Sequence, residues 1–207
     1  MKFLILISGK MHSGKSTSAK IINEIMTDMG YKSEIVALAD ELKSMSQEAF
    51  KPLSKILKEK FDFDLTDDNF WENKNDISRC LLQIIGSDIV RTVDVNYWCR
   101  KLHEKIQKSD SEFFMLQDWR FNSEFKYFLE LNDVKTYCIN VKRLGLSDSD
   151  ARKHISENDL NNFEYFNKIV ENNGDMKDLE GDLVDVAEDI ISWHINCYDS
   201  AQTPFMD

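Results

Sequence analysis

An α/β fold, a parallel sheet held between two layers of helices, is what the sequence predicts. Three observations point to it. Short apolar runs alternate with helical patterns, the first run is apolar at every position, and a glycine loop joins that run to an amphipathic helix. Phe3-Leu4-Ile5-Leu6-Ile7 reads as a central strand buried on both faces. After the loop, Ile21, Ile22, Ile25, Met26 and Met29 share one side of a helix that Gly30 stops. A second strand is expected over 33–39 and a helix over 40–60. Residues 61–75 are acidic and aromatic without a clear period and read as irregular. Two helices are expected at 76–91 and 95–107. Phe113-Phe114-Met115-Leu116 is a further buried strand, and Phe121, Phe125 and Phe128 mark the helix after it. Strands are expected at 134–141 and 168–170, with the charge-rich stretch 142–159 between them. Residues 176–197 form a long amphipathic helix with Leu179, Leu183, Val186, Ile190 and Ile191 toward the core.

The loop between the first strand and helix carries the strongest motif. Gly9-Lys10-Met11-His12-Ser13-Gly14-Lys15-Ser16 fits G-x-x-x-x-G-K-[ST] at every specified position. Glycines let successive backbone N–H groups turn inward as an anion cradle, and the helix opening near Gly14 adds its positive end. Lys15 supplies an ammonium for the β- and γ-phosphates, the Ser16 hydroxyl is a ligand for Mg²⁺, and Thr17 completes the nucleotide-binding run. His12 either touches a phosphate or faces solvent. The predicted class is therefore a P-loop NTPase three-layer sandwich that binds a nucleoside triphosphate.

With 207 residues the chain has room for one sizeable domain, read as 1–207. A net charge of -11 repels phosphate backbones, so direct nucleic-acid binding is not expected. An anionic substrate then needs a positive pocket built against the global field. Cys80, Cys99, Cys138 and Cys197 show no CxxC pair and read as reduced thiols. No apolar run is long enough to span a membrane, and a cytoplasmic location is expected.

A kinase needs a second anion site, and three stretches offer one. Asp118, just past the strand ending at Leu116, is placed to hold a Mg²⁺ water or orient the acceptor, or else to cap the next helix. Arg120 and Glu124 lie four apart beside it, as a surface ion pair or as part of a phosphate site; Trp119 is a candidate for stacking on a base. In the helix over 76–91, the polar residues Arg79, Gln83, Ser87 and Arg91 recur in steps of four and form a ridge drifting about 40° per step. Arginine on the phosphate and glutamine toward the base or sugar would make it a nucleotide clamp, with Leu81, Leu82, Ile85 and Ile89 opposite. Asp40 is a further acceptor-side carboxylate or a helix N-cap. Arg143 and Arg152 belong to a segment suited to close over a transferring phosphoryl group.

Several of these stretches occur together in one family. Ala39-Asp40-Glu41-Leu42-Lys43, the run Arg79 to Asp88 with Arg91 and Trp98, Asp118-Trp119-Arg120-Phe121-Asn122-Ser123-Glu124 and His154-Ile155-Ser156-Glu157 resemble the deoxynucleoside monophosphate kinases of tailed bacteriophages. The resemblance covers the chain from Gly9 to Asn173. It implies a nucleoside monophosphate kinase-like fold with an acceptor-binding insertion at about 40–108 and a lid at about 142–160. It further implies ATP·Mg²⁺ as donor, a deoxynucleoside 5′-monophosphate as acceptor, and Arg79, Asp118, Arg120 and Glu124 at the acceptor and catalytic site. Departures are Ser87, where the family leads one to expect threonine, and Leu38-Ala39, where an aromatic is expected before the alanine. A kinase for another small acceptor such as dephospho-coenzyme A, or a nucleotide-dependent regulatory ATPase, are the competing readings. A homodimer is open to the chain.

Overall fold

The computed structural model describes residues 1–61, 70–71, 76–145 and 159–202. The chain divides into two compact units, residues 1–36 with 106–207, and residues 37–105. The first contains one sheet of β1 (Lys2–Ser8), β2 (Ser33–Val36), β3 (Phe113–Leu116), β4 (Val134–Lys142) and β5 (Lys168–Glu171). The strand order is β2-β3-β1-β4-β5, and every pairing is parallel. β1 lies in the middle, with Leu4 opposite Phe114 on one side and Thr136 on the other.

Phe3 to Ile7 are fully buried, because a central strand covered on both faces has no wet side. Phe3, Ile5 and Ile7 meet Ile22 and Met26 of α1 (Lys15–Asp28) and Leu183 and Val186 of a long C-terminal helix in one cluster. Leu4 and Leu6 alternate to the opposite face, and the helix that follows β3, over Asn122–Leu129, packs on β4. The result is the expected α/β sandwich. Burial pushes the Cys138 thiol on β4 up to about 12, so it stays protonated at neutral pH. Among the described residues, no helix is long and apolar enough to cross a membrane.

The second unit is helical: α2 (Leu38–Phe50), α3 (Ser54–Phe61), α4 (Asp76–Gln83), a π-helical segment Ile84–Val90, a turn Arg91–Val93, and most of α5 (Tyr97–Lys108). In chain order, the helix after β3 is then α6 (Asn122–Leu129) and the C-terminal one α7 (Met176–Gln202). Three expectations change here. The second strand stops at Val36, and α2 begins at Leu38 with Ala37 extended as its N-cap. Asp40 is thus in the first turn, where its charge suits the helix's positive end, and it is not the cap. The helix over 40–60 is broken by a 3₁₀ turn at Lys51–Leu53, because Pro52 has no N–H to donate. Finally, α-helical geometry ends at Gln83.

The π segment surrounds Gly86, where a Cβ would stand 2.6 Å from Leu42 Cδ2. The Gly86 carbonyl accepts a buried hydrogen bond of 3.0 Å from the Trp98 indole N–H. A wider π turn holds more residues than an α turn, so the 40° drift applies only from Arg79 to Gln83. Ser87 lies inside the π segment and Arg91 directly after it. Ile89 is 55% exposed and does not fill an apolar side as expected.

Candidate active site

β1 delivers the chain to the C-terminal edge of the sheet, where parallel strands leave a ligand crevice. Gly9 there has φ +148°, and a Cβ on it would stand 2.3 Å from the Val141 carbonyl oxygen and 2.5 Å from Ser13 Oγ. The loop closes with Ser13 N–H on the Lys10 carbonyl at 3.1 Å. His12 is exposed in a left-handed conformation, φ 62°, so it sits at the loop's outer corner. Gly14, φ 106°, is the N-cap of α1, and no side chain caps that end. The first turn of α1 contains no acid, so its N–H groups and positive dipole end are left for an anion. Lys15 reaches back over the loop, its Nζ donating to the carbonyls of Gly9 at 2.6 Å and Lys10 at 2.7 Å. Ser16 is exposed and Thr17 half-buried in the same turn, while Met11 is half-buried in the loop.

A cavity of about 420 Å³ opens over this loop. Among the described residues, Lys10, Lys15, Arg120, Lys142 and Arg143 line it against one carboxylate, Glu171. The strongly acidic chain therefore carries a cationic crevice at its sheet edge, as an anionic substrate requires. A second cavity, about 400 Å³ and lined by Met1, Trp193 and Cys197, lies at the other end of the strands, away from the loop.

Residues at the exit of β3 take distinct places. Asp118 is half-buried two residues past the strand, and Arg120 lines the cavity. The N-cap of α6 is Phe121, so Asp118 does not cap it. That work falls to Glu124, which is 3% exposed and whose Oε2 accepts the backbone N–H groups of Arg120 at 3.0 Å and Phe121 at 3.1 Å. Glu124 is thus tied to the backbone that presents Arg120, a role neither sequence alternative contained. Asp159 Oδ2 accepts the Asn122 N–H at 2.7 Å, adding a second carboxylate at the same helix end. Glu124→Ala should lower stability by about 2 kcal/mol by orphaning buried donors, read as a reduced urea midpoint with unchanged slope. Trp119 is 1% exposed, packed edge-on against Phe163 and Phe166, and its indole N–H donates to the Phe121 carbonyl. It is a wall of the cavity with almost no face offered to a base.

Arg79, Gln83 and Arg91 are half-buried residues of the second unit. Asp40 is exposed there and faces Lys105 Nζ at 3.5 Å. Of the lid residues, Arg143 lines the cavity just past β4, whereas Arg152 and His154 lie outside the described residues. Sequence reasoning missed Asn140, Phe163, Phe166 and Asn173 of the lining and Asn172 beside the loop. The rule that parallel strands present ligands at their C-terminal ends would have singled out the two asparagines following β5. Among the described residues no cluster of three His, Cys, Asp or Glu could hold a metal. Ser16 and Asp118 offer the hard oxygens that Mg²⁺ takes alongside substrate phosphates.

A parallel sheet whose central strand runs through a glycine loop into an uncapped helix, under a cationic crevice, defines the chain as a P-loop nucleotide-binding protein. Residues 53–183, more than half of the chain, match the deoxynucleotide monophosphate kinase family. The chain belongs to that family and is a nucleoside monophosphate kinase. The match begins beyond the P-loop, so the loop and the family are independent observations. No curated protein matches the chain. Among solved structures, a gluconokinase from Sinorhizobium meliloti 1021 is similar at 15% identity over 93% of this chain and 96% of its own, with a TM-score of 0.36.

Proposed function

We propose that the chain transfers the γ-phosphoryl group of ATP to the phosphate of a deoxynucleoside 5′-monophosphate, giving the diphosphate for DNA synthesis. The match of residues 53–183 to the deoxynucleotide monophosphate kinase family carries this reading, alongside the independent P-loop. The P-loop amides and Lys15 hold the β- and γ-phosphates at the mouth of α1. Arg79, with Gln83 and Arg91 near it on the chain, grips the acceptor phosphate. Arg120 lines that acceptor in place and Arg143 neutralises charge that develops on the transferring group; Arg152 is a second candidate for that task. Ser16 and Asp118 would hold Mg²⁺, which would supply neutralising charge to the phosphates. The acceptor phosphate oxygen is already a nucleophile, so positioning and charge stabilisation supply most of the rate.

Arg79→Ala should raise the acceptor KM and lower kcat by about tenfold or more together, with ATP affinity nearly unchanged. Unaltered acceptor kinetics would remove the clamp. The whole reading is tested by coupled ADP-release assays with the common ribo- and deoxynucleoside monophosphates. Turnover of dephospho-coenzyme A with none of the nucleotides, or ATP hydrolysis that no acceptor accelerates, would overturn it.

A further inference from the structure

We propose that Asn172 is a positioning residue for phosphate binding, fixing the orientation of the peptide between Ser13 and Gly14. This rests on the reading that the P-loop takes a triphosphate. Asn172 follows β5 directly, and its backbone N–H donates to the Lys142 carbonyl at 2.7 Å, continuing the strand pairing by one residue. Its side chain is thereby aimed at a loop 159 residues away, where Nδ2 donates to the Ser13 carbonyl at 2.8 Å.

A trans peptide is planar, so its N–H points opposite to its C=O. No peptide in the described residues is cis. Holding the Ser13 carbonyl on Asn172 therefore turns the Gly14 N–H away from the Asn172 side chain. Gly14 has φ 106° and no Cβ, and a peptide flanked by such a residue flips easily when nothing holds it. Asn172 supplies that hold and also fills the space beside Gly14, where a Cβ would meet its Nδ2 at 2.5 Å. The next residue extends the brace: Asn173 Oδ1 accepts the Leu144 N–H at 2.7 Å, one residue past Arg143. Two adjacent amides at the end of an edge strand thus tie the donor loop and the root of the Arg143 segment to one rigid point. Preorganised donors are worth most when they need no rearrangement as the anion arrives.

Two variants test this, Asn172→Ala, which removes the amide, and Asn172→Asp, which sets a carboxylate oxygen against the Ser13 carbonyl at nearly constant volume. Inorganic tripolyphosphate binding, followed by calorimetry, is the first readout; ATP and acceptor KM values are the second. Tripolyphosphate competed off the unaltered protein by ATP establishes the P-loop reading on its own. Asn172→Ala should then weaken tripolyphosphate and raise the ATP KM by about tenfold, one oriented hydrogen bond's worth, and Asn172→Asp by more. The acceptor KM should change less than about twofold in both, since the acceptor makes no use of that peptide. Unchanged tripolyphosphate affinity overturns the proposal. So does an equal rise in the ATP and acceptor KM, or failure of both variants to fold, since each marks a general structural role.

Discussion

Lys15→Ala should reduce kcat by about 10²- to 10³-fold, the usual effect of removing one preorganised donor from developing charge. Lys15 is in the first turn of an uncapped helix, and its Nζ already lies over the loop on the Gly9 and Lys10 carbonyls at 2.6 and 2.7 Å. An incoming phosphate oxygen replaces those carbonyls with a stronger, charged acceptor, so the ammonium needs little travel to reach its task. The ATP KM should rise less than kcat falls, because the loop amides and the other cations of the crevice still bind the ground state. Lys15 is half-buried on the surface of the loop and its removal leaves the core intact, so the melting temperature should hold. A variant retaining a third or more of its turnover would show that Lys10, Lys142 or Arg143 manages the charge instead.

Gly9→Ala should be the most disruptive single methyl in the chain. At φ +148° the new Cβ would stand 2.3 Å from the backbone oxygen of Val141, and backbone cannot swing aside as a long side chain can. Either the loop lifts off β4 or β4 shifts against β1, the central pair of the sheet. A loss of about 3 kcal/mol is expected, which at this chain length lowers the melting temperature by roughly 10 °C. Nucleotide affinity should fall with it, because the displaced residues are those of the cradle. Gly14→Ala meets a side-chain amide where Gly9→Ala meets backbone, so its stability loss should be smaller while its effect on ATP affinity stays large. Thermal melts of both variants with and without ATP separate the two effects; equal melting temperatures for Gly9→Ala and the parent chain would contradict the geometry.

The sheet and its loop were legible because their signals are local. A five-residue run with no polar position and a glycine-lysine motif next to it leave one architecture open. Helix breaks are half legible: Pro52 marks an interruption inside the expected helix, but not that the break takes the form of a 3₁₀ turn. The π segment was out of reach, since it depends on Gly86 meeting Leu42 and Trp98, contacts that no periodicity encodes. At the site, charge made Arg143 visible, while Glu171 and the uncharged strand-end residues were missed. Arg143 stood out; Asn172 did not, because an asparagine after a four-residue strand looks like a turn. Glu124 stood out by its spacing to Arg120, but the backbone N–H groups its carboxylate takes up are not written in that spacing.

The position of β1 has a consequence during synthesis. It leaves the ribosome well before its two neighbours, β3 and β4, which follow more than a hundred residues later. At ordinary elongation rates β1 waits roughly 5–25 s for a partner. For that interval a strand with five consecutive apolar residues and two open edges is exposed, the kind of segment that chaperones hold and that neighbouring nascent chains can recruit. Slowing translation between β1 and β3 should therefore lower the soluble yield, whereas the same pause after β4 should leave it unchanged.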